Sequence, residues 1–165
     1  MYTIRKAVPE DADGIAYVHH HSWMESYADI IDEAFLKTRT LERSQSIFHK
    51  NECRSYLVVE ADGMVVGFAG YGKARDADLE GYGEIYALYV LKKYQKMGIG
   101  KKLILMAMAM LPEYDRYAVW VLTDNQNAIG FYQHLGFAFD GTTKEDVRPE
   151  TVLKESRLIK IIKNK

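Results

Sequence analysis

The sequence predicts an α/β fold: one mixed, mostly antiparallel central sheet of about six to seven strands, flanked by about four helices. Three observations carry this. Hydrophobic periodicity alternates between two and 3.6 along the 165 residues, with no repeat or low-complexity linker interrupting it. "SYLVVEADGMVVGFAGYGKA" sets Asp62-Gly63 between two β-branched runs, the pattern of a type I′ hairpin. Finally, the strand-like "EIYALYVL" runs through a glycine-containing turn into "LILMAMAML", a segment apolar all round and therefore expected to be a deeply buried helix.

The elements follow in order. Tyr2 to Val8 reads as a first strand, and Pro9 suits the start of a helix carrying Ala12, Ile15, Ala16, His19, Trp23 and Tyr27 at helical spacing. A second helix is expected over Glu33 to His49. The hairpin supplies two antiparallel strands, "ARDADLEGYG" a loop, "EIYALYVL" a central strand and "YAVWVLT" another. Asp124 or Asn125 caps a helix with the stripe Ala128, Phe131, Tyr132 and Leu135, ended by Gly136 in a left-handed conformation. Segments from Phe137 and from Val152 to Ile162 complete the sheet. The length suits a single domain over residues 1–165.

Composition narrows the classes. Hydrophobic residues make up 48%, charged residues 27%, and the net charge is −1, which describes a soluble globular protein without a charge bias toward nucleic acid. The C-terminal lysines Lys154, Lys160, Lys163 and Lys165 are interleaved with apolar strand residues and make no basic stripe. Neither a signal-peptide core nor a bilayer-length apolar run is seen, so a cytoplasmic protein without membrane association is expected. A lone Cys53 excludes an intramolecular disulfide and a cysteine metal cluster. His19, His20 and His21 point in different directions on a helix and cannot share one ion, so no metal is expected. Met106, Met108 and Met110 read as core packing.

The stretch "YQKMGIGKKL" carries the chemistry. A Walker loop needs four residues between its glycines and a Ser or Thr after the lysine; here one residue intervenes and Lys102 follows Lys101. The dinucleotide fingerprint fails for want of a third glycine. What remains is a strand, a short turn and a helix start, whose free N–H groups from about Lys96 to Lys101 converge with the positive end of the helix dipole. A pyrophosphate suits that concavity. Gly98 and Gly100 would permit close approach and positive φ.

"QKMGIG" resembles the Q/R-x-x-G-x-G/A signature of the GNAT acetyltransferase superfamily, and "DNQNAIGFYQHLGF" resembles that family's next motif, an Asn followed five residues later by Tyr and then by Leu-Gly-Phe. Both stand in the family's order, and the resemblance covers roughly Ser55 to Asp140. The segment "HHSWMESYADIIDEAF" resembles, less specifically, the acceptor-side helices of polyamine-acetylating and related bacterial members. The resemblance implies the GNAT-like acyl-CoA N-acyltransferase fold and acetyl-CoA as co-substrate. The expected reaction is direct attack of a primary amine on the thioester in a ternary complex.

Such a reaction needs a neutral amine, a polarised carbonyl and a protonated leaving thiolate. An alkylamine has a pKa of about 10, so a base must take its proton near neutral pH. Glu84, eleven positions ahead of Gln95 in the preceding strand, matches the base of the histone-modifying branch. Tyr132, five after Asn127, matches the family's general acid. Asn127 would bond the pantetheine arm or the acetyl carbonyl. Backbone groups of Leu88, Tyr89 and Val90 would pair with pantetheine amides and supply the oxyanion donor, leaving their side chains to the core. Gln95, Lys96, Met97, Gly98, Ile99, Gly100 and Lys101 would hold the phosphates.

On the acceptor side, Trp23, Tyr27, Tyr71 and Tyr86 are expected to line an apolar passage. Glu25, Asp29, Asp32, Glu33, Asp76, Asp78, Glu80 and Glu84 would make its mouth acidic. That favours a polyamine-like cationic amine, with protein N-termini, lysine side chains and aminoglycosides as other acceptors. A non-catalytic acyl-CoA sensor is the alternative from another class, although it would have no need of Glu84 and Tyr132 together. Family members are often dimers, and "SRLIKIIK" is a candidate exposed edge for pairing with a second copy.

Overall fold

The computed structural model describes residues 1–162. Among them are seven strands: β1 (Tyr2–Lys6), β2 (Tyr56–Ala61), β3 (Met64–Lys73), β4 (Gly83–Val90), β5 (Arg116–Leu122), β6 (Ala138–Val147) and β7 (Val152–Ile161). The helices described are α1 (Ala12–Tyr27), α2 (Glu33–Lys37), α3 (Leu41–Lys50), α4 (Ile99–Ala109) and α5 (Gln126–His134). The strands form one sheet in the order β1-β2-β3-β4-β5-β7-β6, antiparallel throughout except for the parallel pair β4 and β5. That exception arises because α4 is a crossover connection between the two strands, whereas tight turns join the hairpins.

Two layers of helix sandwich the sheet. α4 and α5 pack Ile99, Leu103, Ile104, Ala107 and Ile129 on one face with Ile85, Val119 and Leu158. On the other, Ala12, Ile15, Ala16 and Val18 of α1 and Phe48 of α3 meet Val58 and Phe68. Asp62 and Gly63 both have positive φ, 53° and 74°, as a type I′ turn requires.

The structure differs from the sequence reading in three elements. The helix expected over Glu33 to His49 is two helices, because Thr40 leaves the helical conformation and accepts a hydrogen bond from Arg43 N–H as the N-cap of α3. α4 is not buried all round: no third layer covers it, so Leu105 and Met106 face outward. Strand β7 is not an edge, being paired with β5 on one side and β6 on the other; the edges are β1 and β6. The C-terminal Lys163 and Lys165 lie outside the described residues. No described helix is long and apolar enough to cross a membrane.

Candidate active site

Strand β4 creates the site by parting from β5. The two are paired only from Gly83 to Ile85, against Tyr117 to Val119, yet β4 continues to Val90 and β5 to Leu122. A bulge starts the divergence: Gly70 pairs with Ala87 and Tyr71 with Ile85, so Tyr86 has no opposite number on β3. An extra residue bends its strand and increases twist, turning the far half of β4 away from β5. The edge of Ala87, Leu88, Tyr89 and Val90 that faces β5 is thus left without a ladder, open to an amide-bearing chain.

At the end of the cleft lies the turn singled out in the sequence. Gln95 is exposed, and its Nε2 donates to Val90 O at 2.8 Å and ties the turn to the strand end. Lys96 and Gly98 have φ of 61° and 78°, and Gly98 is the N-cap of α4. Lys102 N–H makes the first helical bond, to Gly98 O, which leaves the N–H groups of Ile99, Gly100 and Lys101 projecting beyond the helix start. Nothing lies within 4 Å of where a Cβ on Gly98 would sit, so the space over the turn is open. This cradle fits a pyrophosphate. Gly100 serves a different purpose from the one expected: its conformation is helical, and a Cβ there would meet the Phe131 ring at 3.2 Å, so glycine sets how closely α4 and α5 pack. Lys96, Met97 and Lys101 surround the opening with exposed side chains.

Tyr132 sits on α5 where the cleft narrows, packed edge-on against Phe131 and Phe137 and only 7% exposed. Its hydroxyl has no hydrogen-bond partner among the described residues. Burial, reinforced by Tyr89, raises its pKa well above that of a free phenol and keeps the proton on the oxygen. α5 is capped by Asn125, whose Oδ1 accepts from Ala128 N–H at 3.2 Å, and Asn127 is therefore released from capping and stands exposed in the first turn.

Trp23 and Tyr27 come together with these groups. Their rings meet edge-on at 4.6 Å, and Trp23 Nε1 donates to Tyr89 Oη at 3.1 Å. The Tyr89 side chain, expected only to fill core, thus links α1 to the cleft. Burial followed by the Tyr89 hydroxyl pushes Tyr27 above its ordinary pKa, with Tyr132 and Glu155 adding to it. A hollow of about 170 Å³ adjoins this group, lined by Ile30, Ile31, Leu122 and the Thr151–Lys154 segment.

Glu84 and Tyr86 form a second group. Glu84 is 1% exposed, and both its oxygens are held by Arg75: the backbone N–H donates at 3.0 Å, Nε at 3.3 Å and Nη2 at 2.8 Å. The same guanidinium lies 4.5 Å over the Tyr86 ring, while the Tyr86 hydroxyl donates to Lys73 O. Tyr86 also borders an open cavity of about 560 Å³ with Lys50–Glu52 and Arg54–Tyr56. Tyr71 lies in the main core and lines neither group. Among the described residues no cluster of His, Cys, Asp and Glu has the placement of a metal site. The three consecutive histidines separate, with Nδ1 of His19 on Ser44 Oγ, of His20 on Arg39 O and of His21 on Tyr17 O.

Half of the acidic mouth is committed internally. Arg157, 4% exposed, binds Asp76, Asp78 and Asp140, while Arg75 holds Glu84 and Lys37 pairs with Glu33. Arg75, Arg157, Arg39 and the Tyr89 hydroxyl escaped the sequence reading. Their partners lie far along the chain or on other elements, and no spacing rule connects them.

A sheet split beside a glycine-turn helix start, with a buried phenol at the fork, defines an acyl-CoA-dependent transferase. Residues 17–137 match the model of the Acetyltransferase (GNAT) family, and the chain belongs to that family. It is 34% identical over 137 residues to the uncharacterized N-acetyltransferase YuaI of Bacillus subtilis, covering 81% of this chain and 78% of that one. The spermine/spermidine N(1)-acetyltransferase of Bacillus subtilis is 32% identical over 98 residues, 54% of this chain and 64% of that one. The fold is shared with the PaiA N-acetyltransferase from Thermoplasma acidophilum in complex with coenzyme A, at TM-score 0.78 and 22% identity over 98% of this chain and 99% of that one. The protein is an acetyl-CoA-dependent N-acetyltransferase, and acetyl-CoA is its co-substrate.

Proposed function

We propose that the protein transfers acetyl directly from acetyl-CoA to a primary amine, with Tyr132 as the acid and Glu84 as the ultimate proton acceptor. The amine nitrogen forms a bond to the acetyl carbon as the carbon–sulfur bond breaks. The amine loses a proton, and the departing thiolate gains one or is held by a hydrogen bond. The Tyr132 hydroxyl, unbonded on a buried residue beside the parting of β4 and β5, carries this reading. A phenol held protonated by burial remains a hydrogen-bond donor to the departing sulfur at any physiological pH. The unladdered edge at Leu88, Tyr89 and Val90 supplies the pantetheine contacts and the oxyanion N–H, with Asn127 facing the same arm. Gln95, Lys96, Met97, Gly98, Ile99, Gly100 and Lys101 hold the phosphates. Glu84, buried and bound by Arg75, reaches the amine through water at Oε1, which accepts one bond from Arg75 and keeps a lone pair, whereas Oε2 already accepts two.

For the acceptor, a polyamine draws support from the spermine/spermidine-acetylating relative and from the aromatic passage of Trp23, Tyr27 and Tyr86. The ion pairs that take up Glu33, Asp76, Asp78 and Glu84 leave Glu25, Asp29, Asp32 and Glu80 for the electrostatic half of that argument and so reduce it. A cytoplasmic location belongs to the same proposal.

The experiment is thiol release from acetyl-CoA against spermidine, spermine, an aminoglycoside, lysine-rich and N-terminal peptides, and amino acids. Tyr132→Phe is expected to lower kcat about 10–100-fold at nearly unchanged coenzyme A affinity, and Glu84→Gln to lower kcat with a loss of its acid limb. Full rate in Tyr132→Phe would remove the acid role, and coenzyme A binding without turnover of any amine would favour the sensor.

A further inference from the structure

The arginines that folding covers are matched to carboxylates, with one exception. Arg5, half-buried, is held by Asp11 and Glu60, and Arg157, buried, by three aspartates. Arg39, half-buried, has no ion pair, and its guanidinium has no hydrogen bond among the described residues. The guanidinium carbon lies over the Trp23 ring, 4.5 Å from its centroid, and 5.8 Å from that of Phe35. The charged groups that bear on it are Arg43 and Arg148, both cations, together with the Tyr89 hydroxyl. Burial, Arg43 and Arg148 accordingly work to lower its pKa.

The position is also rigid. Residue 39 spans the break between α2 and α3, where its N–H donates to Leu36 O at 3.0 Å and its carbonyl accepts from the His20 ring at 2.9 Å. The Trp23 ring places the guanidinium, and Trp23 in turn holds Tyr89, whose hydroxyl bears on Tyr132. The phosphate cradle belongs to α4, on the opposite face of the sheet from α1 and α3, so the cofactor's phosphates do not account for this cation. A half-buried guanidinium seated on an aromatic ring, with vacant N–H groups, is a receptor for a planar anion.

We propose that Arg39 binds a carboxylate of the acceptor, so that the amine acetylated here belongs to a small molecule carrying a carboxylate on an apolar or aromatic body, an amino acid being the simplest. The inference rests on the acetyl-transfer reading and deepens it. Arg39 orients the carboxylate, Trp23, Tyr27 and Phe35 receive the body, and the amine is directed to the fork at Tyr132. A polycation fails on two counts: it offers Arg39 nothing, and it meets Arg43 and Arg148 nearby.

The test uses matched pairs with the full chain and acetyl-CoA: leucine with isoamylamine, phenylalanine with phenethylamine, and 4-aminobutyrate with butylamine, beside spermidine. In the wild type, kcat/KM is expected to be at least tenfold higher for the carboxylate member of a pair. Arg39→Gln should collapse that ratio 10–100-fold through KM rather than kcat, and Arg39→Lys, which keeps the charge but not the planar fork, should restore part of it. A ratio near one in the wild type, or one retained in Arg39→Gln, overturns the proposal. Calorimetric binding of leucine and phenylalanine to the coenzyme A-loaded protein separates this from failure of catalysis. Without turnover of any amine, binding that Arg39→Gln abolishes sustains the carboxylate site while the catalytic reading falls; no binding, or binding equal in both proteins, overturns the site.

Discussion

His19 shows how the packing of α1 against α3 and the sheet constrains a single residue. The ring is packed among Phe48, Phe68, Trp23 and Tyr89, with Nδ1 on Ser44 Oγ. Burial first, then the charges of Arg39 and His20, bring its pKa down to about 4 from the usual 6.5. The unfolded chain therefore binds a proton that the folded one refuses between those values. Stability is intact above pH 6.5 and falls as pH drops toward 4, by about 3 kcal/mol in full. Thermal melts from pH 7 to 4 should show this decline, and His19→Gln, which retains a partner for Ser44, should flatten it; an unchanged slope would remove His19 as the cause. Because Arg39 contributes to the depression, Arg39→Gln should raise the folded-state pKa, so that the decline starts at the same pH but ends sooner and is smaller in total.

At the scale of elements, the turn between β4 and α4 does two separable things. Gly98 supplies a left-handed N-cap, whereas Gly100 supplies clearance for Phe131. Gly98→Ala meets no neighbour, so its cost is conformational: about 1 kcal/mol of stability, with coenzyme A affinity falling as the N–H groups lose their alignment. Gly100→Ala must instead push α5 away by a few tenths of an ångström, which moves Tyr132. The contrast predicted is that Gly98→Ala chiefly raises the dissociation constant for coenzyme A in titration calorimetry, and Gly100→Ala chiefly lowers kcat. Equal effects on both quantities from both variants would deny the division. The bulge at Tyr86 belongs to the same scale, because without it β4 would run on alongside β5 and close the cleft.

For the molecule as a whole, Arg157 fastens the loop between β3 and β4 to the distal sheet. It reaches from β7 to Asp76 and Asp78 in the β3–β4 loop and to Asp140 on β6, and Trp120 donates to Asp76 as well at 2.9 Å. Arg157→Met keeps the volume but strands three carboxylates together. We expect a loss of about 3 kcal/mol in denaturant unfolding and greater protease sensitivity within residues 74–83. A variant as stable as the wild type would show that solvent suffices for those aspartates. The same network takes two of the acidic residues counted along the chain, Asp76 and Asp78, out of an acidic mouth.

The sequence by itself determined the hairpin, the order of strands and helices, the phosphate turn and the place of Tyr132, because each is written in local chemistry. Asp62-Gly63 forces a turn, Gly98 permits a left-handed cap, and apolar spacing declares a helix or strand. It also carried the family, through two motifs read in order. Tertiary structure alone decided the split of the second helix at Thr40, the interior place of β7, the bulge that parts β4 from β5, and the fate of the charges. Those depend on contacts between residues distant in the chain: Arg75 with Glu84, Arg157 with Asp76, and Arg39 with Trp23. A charge read in sequence has a sign but no partner, and only folding determines whether it is neutralised or left to meet a ligand.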